Sequence, residues 1–227
     1  AGRTSVTGGP PQNKLPIVIL ISGRGSNMRA IAERAASGEL PVEVRAVISD
    51  KAEAAGLATA AAMNIPTRSL SAREFADRAS YDQALAALVQ SFEPELVVLA
   101  GFMRILSPGF IAAFPDRILN IHPSLLPLYR GLHTHRRALE AGDSLHGCSV
   151  HFVTEELDGG PLVIQSQVKV LPGDSESSLS ARVQQQEHRI YSQAIEWFAR
   201  GRLQLREQRA WLDGQPLTAP VLVPLVE

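Results

Sequence analysis

The segment Leu15–Ser22 reads LPIVILIS, an unbroken apolar run rich in β-branched residues that ends at Gly23. A strand with one face in solvent alternates apolar and polar residues, so an unbroken run indicates a strand buried on both faces. Strands of this kind occur in parallel sheets whose two sides are covered by helices. The segment therefore favours an α/β fold with a buried, mostly parallel sheet.

Strand-like and helix-like segments alternate along the rest of the chain. Helices are predicted at 27–37, 52–63 and 81–92, and from Asp174 or Ser175 to Arg200. Strands are predicted at 42–48, 65–70, 96–100 and 118–121, followed by a strand pair, 148–154 and 162–170. This alternation predicts a doubly wound α/β fold with helices on both faces of the sheet. We expect a single domain over 15–213, a flexible N-terminal tail over 1–14 and an extended C-terminal tail over 214–227.

Composition narrows the class of partner. The 22 basic and 23 acidic side chains nearly cancel, which argues against a nucleic-acid binder and favours small-molecule substrates. The single cysteine, Cys148, excludes a disulfide framework within the chain and fits a reducing, cytoplasmic location. No apolar run approaches the roughly 18 to 20 residues that span a bilayer, so no membrane partner is expected. We expect a monomer or a homodimer.

Ligands of open α/β sheets bind at the carboxyl ends of strands, and the first such end is Ser22–Asn27, SGRGSN. Free backbone N–H groups at the start of the following helix favour a phosphate there. Met28 stands where a dinucleotide fingerprint needs its third glycine, so a nicotinamide cofactor is not expected. The alternative is a tight turn in which Ser26 or Asn27 caps the helix.

A second strand end carries Asn120 and His122, two residues apart and therefore on the same side of a strand. An amide donor beside an imidazole can stabilise the oxyanion that forms when a nucleophile adds to a carbonyl. The alternative for His122 is a capping role in a proline-stiffened loop. Asp158, in the turn between the paired strands, is either a further catalytic group or simply an acidic turn former.

Three further features of the sequence involve histidines, the cysteine and a glutamate. His133 and His135 form a His-x-His pattern, but no other side chain shows ligand spacing with them, so no metal is expected. His151 and Cys148 fit half-buried and apolar positions of a strand. Glu187 falls on the apolar stripe of the long helix, where an unpaired carboxylate is expensive to bury, so a polar ligand or partner is expected for it.

Taken together, these motifs resemble the phosphoribosylglycinamide formyltransferase family, a group of folate-dependent enzymes of purine synthesis. The resemblance rests on ISGRGSN at 21–27, LAGFMRILSP at 99–108 and NIHPSLLP at 120–127. It extends through GLHTH at 131–135, GCSVHFVTEELDGGP at 147–161 and QQEH at 185–188. It covers about residues 15–213 and implies a Rossmann-like formyltransferase fold.

The resemblance also implies a reaction and its residues. A formyl group would pass from 10-formyltetrahydrofolate, a co-substrate, to the amine of 5'-phosphoribosylglycinamide in IMP synthesis, without metal or nicotinamide. The implied catalytic residues are Asn120, His122 and Asp158. The implied ribonucleotide contacts are Gly25, Ser26, Asn27, Gln184 and Glu187. The implied folate contacts are Arg78, Met103, Arg104, Ile105, Leu106, Asn120, Thr154, Glu155, Glu156, Leu157 and Asp158. Arg78 lies where the match is loose, and Arg130 stands where many relatives have proline.

Other functions compete with this interpretation. Methionyl-tRNA formyltransferases share the SLLP-type loop but add a C-terminal tRNA domain, for which this chain is expected to have neither the length nor the basic charge. Formyltetrahydrofolate deformylases share the catalytic residues and usually add an N-terminal regulatory domain, whereas about 14 residues precede the first predicted strand here. The third alternative is a non-catalytic module that keeps a folate or phosphoribosyl pocket.

Overall fold

The computed structural model describes residues 13–225. Strand β1 (Leu15–Ile21) occupies the middle of the sheet and is buried on both faces, as its sequence predicts. Ile17, Ile19 and Ile21 pack into one hydrophobic cluster, and Val18 and Leu20 pack into a second cluster on the opposite side. The period of two along a single strand thus divides the core into two layers.

An eight-stranded sheet in the order β11-β7-β6-β5-β4-β1-β2-β3 forms the centre of the fold. Its other strands are β2 (Val42–Ser49), β3 (Thr67–Ser69), β4 (Leu96–Leu99), β5 (Ile118–His122), β6 (Leu145–Phe152), β7 (Leu162–Lys169) and β11 (Val221–Val223). Strands β3, β2, β1, β4 and β5 pair in parallel, and β6 is antiparallel to both of its neighbours. The mostly parallel, doubly wound α/β fold is confirmed.

Helices cover both faces of this sheet. They are α1 (Ser26–Ser37), α2 (Ala55–Ala62), α3 (Arg78–Gln90), α4 (Pro108–Ala113), α5 (Thr134–Glu140) and α6 (Glu176–Ala199), with a short 3₁₀ helix at Ala72–Glu74. Buried side chains of α1 and α6 belong to one cluster, and those of α3 and α4 belong to the other. No helix among residues 13–225 has the length and apolar character needed to cross a membrane.

The long helix α6 begins where its capping signal predicts. The Ser175 side chain accepts from the Ser178 backbone N–H, and the Ser178 side chain accepts from the Ser175 N–H in return. This reciprocal pair satisfies two backbone donors at the helix start, so Ser175 rather than Asp174 is the cap. The apolar stripe of the helix, including Leu179, Val183 and Ile190, is buried against the sheet.

The C-terminal segment from residue 203 contains four short strands that the sequence does not predict. Strands β8 (Leu203–Arg206), β9 (Arg209–Leu212) and β10 (Gln215–Pro216) form a separate antiparallel sheet, and β11 extends the main sheet by pairing in parallel with β7. These strands are two to four residues long and interrupted by turns, so they carry too little periodicity to be read from sequence. Most of the predicted N-terminal tail, residues 1–12, lies outside the described residues.

Candidate active site

A cleft of about 670 Å³ lies at the carboxyl ends of β1, β4 and β5. The structure brings nearly all of the predicted site residues into its lining. These are Gly25, Ser26, Asn27, Met103, Arg104, Ile105, Leu106, Asn120, His122, Thr154, Glu155, Glu156, Leu157, Asp158, Gln184 and Glu187. Arg78 is the exception: it does not line the cleft, and its guanidinium donates to the backbone carbonyl of Ile105, which does.

His122 and Asp158 face each other in the middle of the cleft. His122 Nδ1 lies 3.7 Å from Asp158 Oδ2, and both side chains are more than nine-tenths buried. The separation is longer than a direct hydrogen bond, so the two groups are paired electrostatically.

Backbone groups of the 129–133 loop contact both of these side chains. His122 Nε2 lies 2.8 Å from the carbonyl oxygen of Tyr129, which can only accept, so Nε2 carries a hydrogen. The Gly131 N–H donates to Asp158 Oδ2 at 2.8 Å. The loop thereby fixes which nitrogen of His122 faces Asp158 and holds the carboxylate in place.

Asn120 is oriented by His151, which the sequence pattern predicts only to be a strand residue. His151 lies opposite Asn120 in the β5–β6 register, and Asn120 Nδ2 lies 3.2 Å from His151 Nε2. His151 Nδ1 lies 2.9 Å from the Phe152 carbonyl, so Nδ1 bears the hydrogen and Nε2 accepts. Burial lowers the pKa of His151, which keeps the ring in this neutral state. The Asn120 amide therefore donates one N–H to His151 and has a second N–H that can donate to an oxygen in the cleft.

The turn that carries Asp158 has a tightly constrained backbone. Asp158 itself has φ +49°, a left-handed conformation that Asp adopts more readily than most residues. A Cβ on Gly160 would lie 1.8 Å from the Phe152 carbonyl oxygen, so only glycine fits there. The turn folds back over the sheet, which brings Asp158 Oδ1 to 3.9 Å from His151 Nε2.

The other end of the cleft is built by the start of α1. Gly25 precedes the helix in a left-handed conformation (φ +71°), and no side chain caps the first turn. The capping alternative for Ser26 and Asn27 is therefore wrong, and the helix start keeps free N–H groups that suit an anion. Residues 23–27 all line the cleft there.

Asn27 is instead bound to the long helix. Its Nδ2 donates to Glu187 Oε1 at 3.1 Å, and both side chains are buried. Burial raises the pKa of Glu187, an effect that the hydrogen bond from Asn27 partly offsets. Asn27 Oδ1 has no hydrogen-bond partner within the described residues. A ligand that offers donors would satisfy this oxygen, which supports a polar ligand at this end of the cleft.

The opposite arm of the cleft is more apolar. Met103, Ile105 and Leu157 are about half exposed although they are large and hydrophobic. Such side chains at the mouth of a cleft suit a flat or apolar ligand part. Ser22 anchors this arm, because its hydroxyl donates to Asp50 at 2.7 Å and accepts from the Met103 N–H at 2.8 Å.

Charged groups also border the cleft. Arg130 donates to Glu156 at 2.7 Å and so links the two loops that carry Tyr129 and Asp158. His133 and His135 both line the cleft, but no group of three or more His, Cys, Asp or Glu residues between Asn13 and Leu225 is arranged to hold a metal ion.

Fold and site together define a family. Residues 15–195 match the formyl transferase family, and the chain belongs to it. Within that family, 201 residues are 56% identical to phosphoribosylglycinamide formyltransferase of Escherichia coli, over 88% of this chain and 95% of that protein. The structure of phosphoribosylglycinamide formyltransferase from Coxiella burnetii superposes with a TM-score of 0.89 at 45% identity, over 93% of this chain and all of that one. A formyltetrahydrofolate deformylase from Pseudomonas syringae superposes with a TM-score of 0.80 at 25% identity, over 88% of this chain and 66% of that one.

Proposed function

We propose that the chain transfers a formyl group from 10-formyltetrahydrofolate to the amine of 5'-phosphoribosylglycinamide, giving phosphoribosyl-N-formylglycinamide and tetrahydrofolate in purine synthesis. The observation that carries the proposal is the convergence of Asn120, His122 and Asp158 between the two arms of one cleft. The high identity to phosphoribosylglycinamide formyltransferases supports the same conclusion. The folate is a co-substrate, and the reaction needs neither metal nor nicotinamide.

The two arms suit the two substrates. The free N–H groups at the start of α1 suit the phosphate, and Gly25, Ser26 and Asn27 are the residues we assign to it. Glu187, with Gln184 one turn earlier on α6, accepts from the hydroxyl and amine groups of the same molecule. The folate lies along the arm formed by residues 103–106 and 154–158, where the exposed apolar side chains cover its flat ring. Arg78 acts on the folate only through the Ile105 backbone that it supports.

The transfer passes through a tetrahedral intermediate. The neutral amine attacks the formyl carbon, and the carbonyl oxygen takes up the negative charge. The free N–H of Asn120 and the protonated Nδ1 of His122 donate to that oxygen, which stabilises the charge where it forms. Removing a single donor of this type costs about 100-fold to 1000-fold in turnover in other acyl-transfer enzymes.

Asp158 completes the proton balance. Its carboxylate lies 3.7 Å from His122 Nδ1 and accepts, directly or through water, the proton that the attacking amine loses. The folate nitrogen gains a proton as the carbon–nitrogen bond to the formyl group breaks. No net proton is consumed, because the proton from the amine replaces the one delivered to the folate.

Location, oligomeric state and partners belong to the same proposal. The enzyme works in the cytoplasm, which the single, buried and unpaired Cys148 supports. It acts on small molecules as a monomer or a homodimer, and sedimentation at several protein concentrations distinguishes these two states. Its nearly balanced charge supports the absence of a nucleic-acid partner.

The test measures release of the deformylated folate by absorbance, with and without phosphoribosylglycinamide, for wild type and His122→Ala. Release that requires both the amine substrate and His122 supports formyl transfer. Tight folate binding without release, in either the presence or the absence of the amine, contradicts it and leaves a binding module.

Deformylation is the second candidate, because the fold is shared with a formyltetrahydrofolate deformylase. Water would then attack the formyl carbon in place of the amine. The Gly25–Asn27 anion end and the buried Glu187 favour the amine substrate, since water needs neither. Release at full rate without phosphoribosylglycinamide would establish deformylation instead.

A further inference from the structure

Two main-chain groups of the 129–133 loop contact His122 and Asp158. A side chain outside the loop holds the loop in place. The Tyr129 carbonyl accepts from His122 Nε2, and the Gly131 N–H donates to Asp158, each at 2.8 Å. Both contacts depend on backbone position alone. A small shift of the loop would therefore disturb His122 and Asp158 at the same time.

The loop does not adopt a relaxed conformation. Tyr129 (φ +52°), Gly131 (φ +83°) and His133 (φ +57°) all have left-handed backbone angles. Tyr is disfavoured in this region because its Cβ approaches the carbonyl oxygen, and His, although found there more often, still prefers negative φ. Backbone of this type persists only where surrounding contacts impose it. The loop consequently needs an external support.

Arg137, on helix α5, contacts the loop at three points. Its Nη1 donates to the Arg130 carbonyl at 2.7 Å and to the Leu132 carbonyl at 3.3 Å. Its guanidinium lies 5.1 Å from the centre of the Tyr129 ring. These contacts lie on either side of Gly131, and hydrogen bonds from a charged donor are stronger than neutral ones. Arg137 is half-buried and lies outside the cleft lining.

We propose that Arg137 is a positioning residue for formyl transfer: it holds the 129–133 loop so that Tyr129 fixes the tautomer of His122 and Gly131 fixes the carboxylate of Asp158. The proposal rests on the function proposed above. Arg137 touches neither substrate and acts through two carbonyl groups of the main chain. We expect its main effect on the catalytic step, because the loop that it holds contacts His122 and Asp158 directly.

The test compares Arg137→Met, which keeps the side-chain length but removes the donors, with Arg137→Lys, which restores a charged donor. We expect Arg137→Met to lower kcat by about tenfold, the lower end of the effect known for residues that orient the ligands of bound metals. The KM values for both substrates stay within about twofold, and Arg137→Lys recovers most of the rate. Arg136→Met is the matched control, because Arg136 is its neighbour on α5 and pairs with Glu176 instead of the loop.

A second readout separates this proposal from the proposed function. Nitrogen NMR of the histidine rings reports which nitrogen of His122 carries the hydrogen, whether or not the protein is active. We expect a single Nε2-H form in wild type at alkaline pH and a mixture of tautomers in Arg137→Met. Arg137→Ala serves the same purpose if the methionine variant does not fold. An unchanged kcat, or an unchanged tautomer in a folded donor-less variant, would overturn the positioning role.

Discussion

Asn120 and His151 are direct cross-strand partners, with the amide nitrogen of Asn120 3.2 Å from Nε2 of His151. The neutral imidazole can only accept at that atom, since its other nitrogen donates to the Phe152 carbonyl. Because Nε2 of His151 can only accept, the Asn120 amide cannot flip without placing its oxygen against another acceptor. His151 therefore decides that Asn120 presents a donor, rather than an acceptor, to the oxygen of the formyl group.

The first prediction concerns this pair. His151→Leu leaves the Asn120 donor without its buried partner, at a cost of about 1–3 kcal/mol, and we expect the amide to lose its orientation. We expect kcat to fall by about 10-fold to 100-fold, and His151→Gln, whose amide oxygen can accept, to recover part of it. A double-mutant cycle with Asn120→Ala checks the coupling. Fully additive losses in kcat would contradict the orienting role.

The second prediction concerns Asp158. Asp158→Asn keeps the shape of the turn, because Asn tolerates a left-handed backbone as well as Asp does. It removes the negative charge, and we expect kcat to fall by at least about 100-fold, the effect of losing a positioned proton-transfer group. Asp116→Asn is the control, since Asp116 is exposed and also has positive φ (+60°). Near-normal turnover with unchanged thermal stability would exclude the catalytic role of Asp158.

The third prediction separates stability from binding at Glu187. Burial raises the pKa of Glu187, so the folded state binds its proton more tightly than the unfolded chain does. The ionised group therefore costs stability, increasingly as pH rises from its ordinary value of 4.5 through the raised value. We expect Glu187→Gln to raise the thermal midpoint at pH 7 and to raise KM for phosphoribosylglycinamide.

The control for Glu187 lies on the same helix. Glu196 pairs with Arg200 one turn away on the protein surface, so Glu196→Gln should change neither the midpoint nor KM appreciably. A Glu187→Gln variant that is less stable than wild type at pH 7, with the control unchanged, would show that the ionised carboxylate stabilises the fold.

The fourth prediction is a loss of stability in acid. Burial, and then the neighbouring His135, lower the pKa of His146 to about 4. The unfolded chain takes up this proton near pH 6.5, before the folded state does, so stability falls as pH decreases from about 6.5 towards 4. We expect the thermal midpoint of His146→Gln to depend less on pH in this window. The exposed His133, substituted in the same way, serves as the comparison, and parallel pH curves for wild type and His146→Gln would disprove the assignment.

Much of the site could be predicted because it obeys the strand-end rule of parallel sheets. Asn120 and His122 end β5, and Gly25 to Asn27 follow β1, so sequence order alone places them at one edge. Asp158 does not follow this rule, because it comes after β6, which is antiparallel to β5. Only the family resemblance, and then the folded-back turn, brings it to His122.

Other parts of the site leave no sequence signal. The partnership of His151 with Asn120 depends on strand register, which no local pattern of residues 148–154 specifies. The contacts of Tyr129 and Gly131 are made by main-chain atoms, so their side-chain identities do not reveal them. The short strands β8 to β11 fail for a different reason, since segments of two to four residues cannot display a period.

The buried hydroxyl of Tyr191 contacts the Leu99 and Leu119 carbonyls. Its environment makes tyrosine absorbance a measure of folding. Burial raises the pKa of Tyr191 well above its ordinary value of 10, burial also raises that of Tyr81 to about 12, and a hydrogen bond with Asp143 raises that of Tyr129. These are all three tyrosines of the chain. Near pH 10 the folded enzyme therefore keeps its phenols more protonated than the unfolded chain does, so unfolding can be followed as a rise in phenolate absorbance without any dye or label.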